Sequence, residues 1–99
     1  MTRIATHPGE VLRDEFMVPL GLSANALARA LDVPANRITA IIAGNDPRAV
    51  TPDTALRLAR YFGTSAEFWL NLQAAHDLAR AKAAVGHEIE QQVRPRAAA

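Results

Sequence analysis

Between Pro34 and Gly44 the chain reads PANRITAIIAG, and three of its residues, Asn36, Arg37 and Thr39, carry hydrogen-bonding side chains. An asparagine amide can bond an adenine edge, an arginine can bond guanine or a phosphate, and a threonine can meet a phosphate or a thymine methyl. Ala35 and Ala40 are small enough to let the backbone come close to a partner surface. Pro34 opens a helix whose partial positive N-terminus favours a phosphate. Beside these groups runs an apolar stripe of Ile38, Ile41 and Ile42. The spacing predicts a helix from Pro34 to Gly44, anchored by its isoleucines, with Ala35, Asn36, Thr39 and Ala40 outward and Arg37 at the flank. Such a face suits the major groove of a duplex, which admits a helix entered from its N-terminus. An amphipathic helix in an ordinary bundle is the other reading of the same pattern.

The element that must position this helix lies just before it. Ser23 is a good N-cap for a helix from Ala24 to Leu31, with Leu27, Ala28 and Leu31 inward. Only Asp32 and Val33 separate the two, so the helices must cross steeply, as in a helix-turn-helix. Ala28 sits where they approach most closely. Asp32 stands where a glycine is often found, and aspartate tolerates left-handed backbone better than most residues.

The rest of the chain is also helical in pattern, since β-branched residues never alternate over a useful run. His7-Pro8 starts a first helix with Val11, Leu12 and Phe16 on its apolar face, ended by Pro19 and Gly21. Thr51-Pro52-Asp53 caps DTALRLARYFG, which Gly63 stops. Thr64 and Glu67 match a capping box for a fifth helix, SAEFWLNLQAAHDLARAKA, and Ser65 also reads as a cap. The expected architecture is all-α, five helices with the helix-turn-helix at the second and third. Gly86 is expected to break the last helix, which divides the chain into a domain at 1–82 and a flexible or partner-dependent tail at 83–99.

Composition narrows the function classes. The chain has 99 residues, 49% of them apolar, which suits one domain with its own core. No cysteine is present, so disulfide scaffolds and thiolate metal sites are excluded. No apolar run nears the ~20 residues of a membrane span, and the N-terminus lacks a signal peptide's apolar segment, so a soluble cytoplasmic protein is expected. Net charge is +1, but Arg37, Arg48, Arg57 and Arg60 outnumber Asp46 and Asp53 within residues 34–60. That excess is a weak pointer to an anionic partner.

Enzyme chemistry finds no constellation. His7, His76 and His87 lack metal-ligand spacing, and His7 before Pro8 reads as a helix start. Asp14-Glu15 are adjacent on a helix, point apart and make a poor acid/base pair. Asn45-Asp46 reads as a turn, because no alternating oxygen ligands follow. No cofactor, metal or catalytic residue is expected. Trp69 has two readings. It caps the monomer core, or, with Leu72 and the face continuing through Leu78, it buries against a second copy. A dimer would set two reading helices about 34 Å apart on a palindrome.

The segments HPGEVLRDEFMVPLGLSANALARALDVPANRITAIIAG and TPDTALRLARYFGTSAEFWLNLQ together resemble the HigA-type antitoxins, also called the VapI or addiction-module antidote family, of the phage-repressor-like (XRE) helix-turn-helix class. The resemblance covers residues 7–78. It implies a five-helix repressor-like (lambda repressor-like) fold and a homodimer that represses its own operon on double-stranded operator DNA. It also implies a cognate toxin of the RelE-like mRNA interferase type that the antitoxin neutralises. Two departures stand out. Relatives usually carry a short basic turn after Gly44, where this chain has Asn45-Asp46-Pro47-Arg48-Ala49-Val50, leaving Arg48 as the main phosphate contact there. The position opening the motif, often glutamine, is Ala24, so one phosphate contact is missing or supplied by Ser23. A stand-alone repressor without a toxin, and a toxin-masking protein with weak DNA binding, are the alternative functions.

Overall fold

His7 begins the first helix as its N-cap. Its backbone is extended (φ −65°, ψ 138°) and its Nδ1 accepts the Gly9 N–H at 2.8 Å, while Pro8 fills the first helical turn. The computed structural model describes residues 6–97, and every regular element among them is helical. Helix α1 covers 8–20 as Pro8–Val11, a wider π-helical stretch Leu12–Met17, and Val18–Leu20. The widened turn falls where the Pro19 ring would meet the carbonyl four residues earlier. The chain therefore passes through Pro19, expected to help end the helix, and stops at Gly21, which takes the left-handed conformation (φ 65°).

Helix α2 (Ala24–Leu31) is capped by Ser23, whose Oγ accepts the Ala26 N–H at 3.0 Å. Helix α3 (Ala35–Ile41) is shorter than expected: Pro34 is its extended N-cap, and the chain leaves the helix at Ile42 (φ −90°, ψ 5°), short of Gly44. Helix α4 (Pro52–Phe62) starts at Thr51, whose Oγ1 accepts the Thr54 N–H, and ends at left-handed Gly63. Helix α5 covers 66–92 through Ala66–Ala81, a π-helical Lys82–Gly86, and His87–Gln92. Its cap is Ser65, which accepts the Phe68 N–H at 3.0 Å. The expected Thr64–Glu67 box gives way because the Thr64 hydroxyl accepts the Trp69 indole N–H at 2.8 Å.

One core unites the helices. Leu12, Leu27, Ile38, Leu58 and Trp69 are fully buried at its centre. Helix α2 packs on α3 and α4, and α5 on α4 and α1. Phe16 packs with tilted rings against Phe62 and Trp69, centroids 4.8 Å and 5.1 Å away. Trp69 is 0% exposed, which withdraws it from the subunit contact considered above. Its ring and its N–H are both satisfied inside one chain. Leu72 is half-buried against the same core, and Leu78 stands 57% exposed. Phe68 lies at the rim (38% exposed), since the turn that brings Trp69 inward carries its neighbour away.

The last helix does not break at Gly86, which keeps helical angles (φ −58°, ψ −46°). A glycine there costs only ~1 kcal/mol relative to alanine, and the flanking alanines, glutamates and glutamines are good helix formers. The helix therefore extends past the core to Gln92, and the described chain is 54 Å along its longest axis. Among the described residues no helix is long and apolar enough to cross a membrane.

Two backbones nearly touch where α1 meets α3. A Cβ on Gly9 would overlap the Ile41 carbonyl oxygen and press on the His7 Nδ1. Alanine would favour the helix itself by about 1 kcal/mol. Overpacking dominates, and Gly9→Ala is expected to lose about 3 kcal/mol or more. The melting temperature would then fall by roughly 10–20 °C; a melt at or above wild type would refute the close approach.

His7 is buried, and its Nε2 has no hydrogen-bond partner. Its ring stands edge-on to His76 at 4.8 Å. Burial first, then His76 and Arg80, holds the imidazole below its ordinary value of 6.5, while Asp77 and the Arg48 backbone pull it up. The folded chain thus prefers neutral His7, and the unfolded chain protonates first as pH falls. The contribution of His7 is present above about pH 6.5 and is lost below it. Thermal melts from pH 7.5 to 5.5 should fall more steeply for wild type than for His7→Asn, which keeps a capping acceptor. Equal slopes would remove His7 from the pH response.

Candidate nucleic-acid interface

The turn between α2 and α3 sets the angle of the exposed helix. Asp32 adopts the left-handed conformation (φ 58°, ψ 50°), which the sequence requires of it in place of glycine. The Val33 N–H returns to the Ala28 carbonyl at 3.0 Å. Ala28 is 2% exposed, so its small side chain lets the two helices meet. Beneath α3, Ile38 and Ile41 are buried; on its outer side, Asn36 and Thr39 are exposed. Thr39 donates its hydroxyl to the Asn36 carbonyl at 3.3 Å, within the helix's own first turns.

The loop after α3 folds back on it. The Arg48 N–H donates to the Ala40 carbonyl at 2.9 Å, and the turn before it is made by left-handed Asp46 (φ 49°). Farther on, the Val50 N–H donates to Gln73 Oε1 at 2.7 Å, and Gln73 Nε2 donates to Asp77 Oδ1 at 3.0 Å. The loop is thereby tied to α5, and Arg48 is exposed on the rim of an open groove of about 820 Å³. Pro34, Asn36, Arg37 and Ala40 line that groove together with Arg48, Asp53 and Arg57. Three arginines face a single aspartate there, which makes the groove cationic in a chain of net charge +1.

The aspartate is engaged. Arg37 Nη1 donates to Asp53 Oδ2 at 2.7 Å, and Arg57 Nε donates to the same oxygen at 3.0 Å. These two guanidinium bonds, Arg57 first, hold the Asp53 carboxyl below the usual carboxylate range. Arg57 reaches further, donating Nη1 to the Leu31 carbonyl at 2.8 Å and the Asp32 carbonyl at 3.2 Å. It caps carbonyls that the end of α2 would otherwise leave unsatisfied.

Of the residues singled out in the sequence, Pro34, Asn36, Arg37, Ala40 and Arg48 meet in the groove. Ser23 caps α2 and Thr39 sits a turn beyond Asn36, both exposed and outside the groove lining. Ala35 is half-buried against the core instead of standing out, because it lies three residues before Ile38 and seven before Ile42, on the apolar stripe. Asp53 and Arg57 are the residues that sequence reading did not place here. Their i,i+4 spacing is visible in the sequence; their reach to Arg37 and to the α2 carbonyls is not.

The Helix-turn-helix family (HTH_3) matches residues 14–69. Virulence-associated protein I of Dichelobacter nodosus is 55% identical over 78 residues, 79% of this chain and 70% of that protein. The structure of Pseudomonas aeruginosa antitoxin HigA with the higBA promoter superposes with a TM-score of 0.88 at 47% identity, covering 94% of this chain and 99% of that one. An addiction module antidote protein of the HigA family from Coxiella burnetii gives 0.85 at 50% identity, over 93% and 98%. The chain belongs to the HigA family of antitoxins. Its five helices and its helix-turn-helix at α2 and α3 are those of the HigA structures. The expected family and fold class therefore hold, and the HigA relatives are DNA-binding regulators in place of enzymes.

Proposed function

We propose that this HigA-family chain is the antitoxin and autorepressor of a toxin–antitoxin pair. As a dimer it reads its operator with α3 in the major groove, and it neutralises a toxin of the RelE-like mRNA interferase type, which places its work in the cytoplasm. The observation that carries the DNA reading is the open cationic groove lined by Asn36 and by Pro34, the N-cap of α3. The Pseudomonas aeruginosa relative seen with its promoter adds to it. Asn36 offers both amide groups to an adenine edge, and Arg37 keeps free N–H donors for a guanine edge beyond the one given to Asp53. Arg48 in the same groove supplies a phosphate contact, as does the N-terminus of α3 at Pro34. Ser23 and Thr39 add flanking hydroxyls, and Ala40 in the groove lining leaves room for close approach, while Ala35 backs the helix from the core side.

A second copy is supported by the projecting half of α5. Leu78, Val85 and Ile89 are exposed along it at spacings of seven and four, and Val93 follows, exposed, just past its end. Pairing these residues would double the reading helices and combine their affinities.

Replacing Asn36 and Arg37 together with alanine is expected to weaken binding to the chain's upstream DNA by about thirty-fold or more in a gel shift, since each of the two base contacts contributes ~1–3 kcal/mol. The melting temperature should move little, because exposed ion pairs contribute at most ~1 kcal/mol. Binding equal to wild type would show that α3 is the wrong face. The toxin reading is tested separately by co-expression with the adjacent gene. The expected outcome is a co-purifying complex and relief of growth arrest; a neighbouring product that neither binds nor arrests growth would leave a repressor alone.

A further inference from the structure

The groove carries one anion on a surface proposed to meet a polyanion. The Asp53 side chain is 57% exposed, and it shares the groove with Asn36 and Arg37. A carboxylate there repels every phosphate within a Debye length, about 8 Å at physiological salt. The repulsion is blind to sequence, so it weakens binding to all DNA alike. Its partners give it a second effect that is not blind.

An unpaired arginine on a flexible stem would turn to the nearest phosphate on any duplex. Arg37 does not have that freedom, because its Nη1 is held by Asp53 Oδ2 at 2.7 Å. Asp53 is in turn fixed by Arg57 Nε at 3.0 Å, and Arg57 by the Leu31 and Asp32 carbonyls at the end of α2. The guanidinium position is therefore keyed to the helix-turn-helix itself before DNA arrives. Its side-chain entropy is lost in the free protein, and its remaining donors are aimed in one direction. A base edge in register gains from that ordering, whereas a phosphate elsewhere requires the Asp53 bond to break.

Resting on the DNA-binding reading above, we propose that Asp53 is a specificity-setting residue of the interface. Its carboxylate holds Arg37 off the phosphate backbone and in register with base edges, and so widens the gap between operator and unrelated DNA. Asp53 acts through Arg37 and is a positioning residue; it does not itself read a base.

The test compares dissociation constants of the full chain for its upstream duplex and for an unrelated duplex of equal length and base composition. Asp53→Asn is expected to bind the unrelated duplex about ten-fold more tightly and the operator within about three-fold of wild type, lowering the specificity ratio. Freed Arg37 adds about one phosphate contact on unrelated DNA, so the slope of log affinity against log salt should steepen by about 0.9. In the Arg37→Ala background the same substitution should leave the ratio within about two-fold, because the partner through which it acts is gone. Asp53→Ser, which keeps a side chain suited to a helix's first turn, repeats the comparison if Asp53→Asn melts early. An undiminished ratio in both variants, or an equal drop with and without Arg37, overturns the role of Asp53. A wild-type chain that does not distinguish the two duplexes instead overturns the DNA reading on which this rests.

Discussion

The contact of Gly9 with the Ile41 carbonyl fixes the place of the exposed helix. Two backbones meet there with no side chain between them. From the opposite side Ile38 and Ile41 plug α3 into the core that α2 and α4 complete. A helix of seven residues has little stability of its own, because short helices are marginal in water. Its position is imposed by these contacts, and its outer face is left exposed to solvent. The close approach also explains the first helix's start. His7 caps it from a buried site beside His76, so the segment that grips α3 is tied at the same point to α5.

A second layer of order is electrostatic. Leu31 and Asp32 carbonyls, Arg57, Asp53 and Arg37 form one chain of charge-assisted bonds from the end of α2, across the start of α4, to the outer side of α3. Each ion pair is more than a third exposed, so the network adds modestly to stability. Its effect is on geometry. It converts a long arginine from a floating charge into a fixed donor. The loop from Arg48 to Val50, tied to Ala40 and Gln73, is held in the groove lining in a similar way.

The parts legible in the sequence were those governed by local chemistry. Ser23, Thr51 and Ser65 cap helices because a short hydroxyl reaches the N–H three residues on. Gly21 and Gly63 close helices in the left-handed conformation, and Asp32 does the same in the turn. The isoleucine stripe of α3 gave its inward side, and with it the exposure of Asn36 and Thr39. Ala35 has the size of a contact-face residue, but its spacing puts it on that stripe. A capping box at Thr64 is a local pattern, while the indole that takes the Thr64 hydroxyl belongs to the core. Gly86 has the backbone freedom to break a helix, but the good helix formers on both sides outweigh its cost.

By itself the sequence determined five helices, the tight α2–α3 turn and the polar, small-residue outer face of α3, since all of these follow from periodicity and from backbone preferences of single residues. Only the tertiary structure decided that Trp69 belongs to the monomer's core, that Gly9 is pressed on Ile41, and that Asp53 binds Arg37, sixteen residues away. Those facts depend on which surfaces of distant segments face each other. Packing settles that choice over the whole chain at once, and no local spacing encodes it.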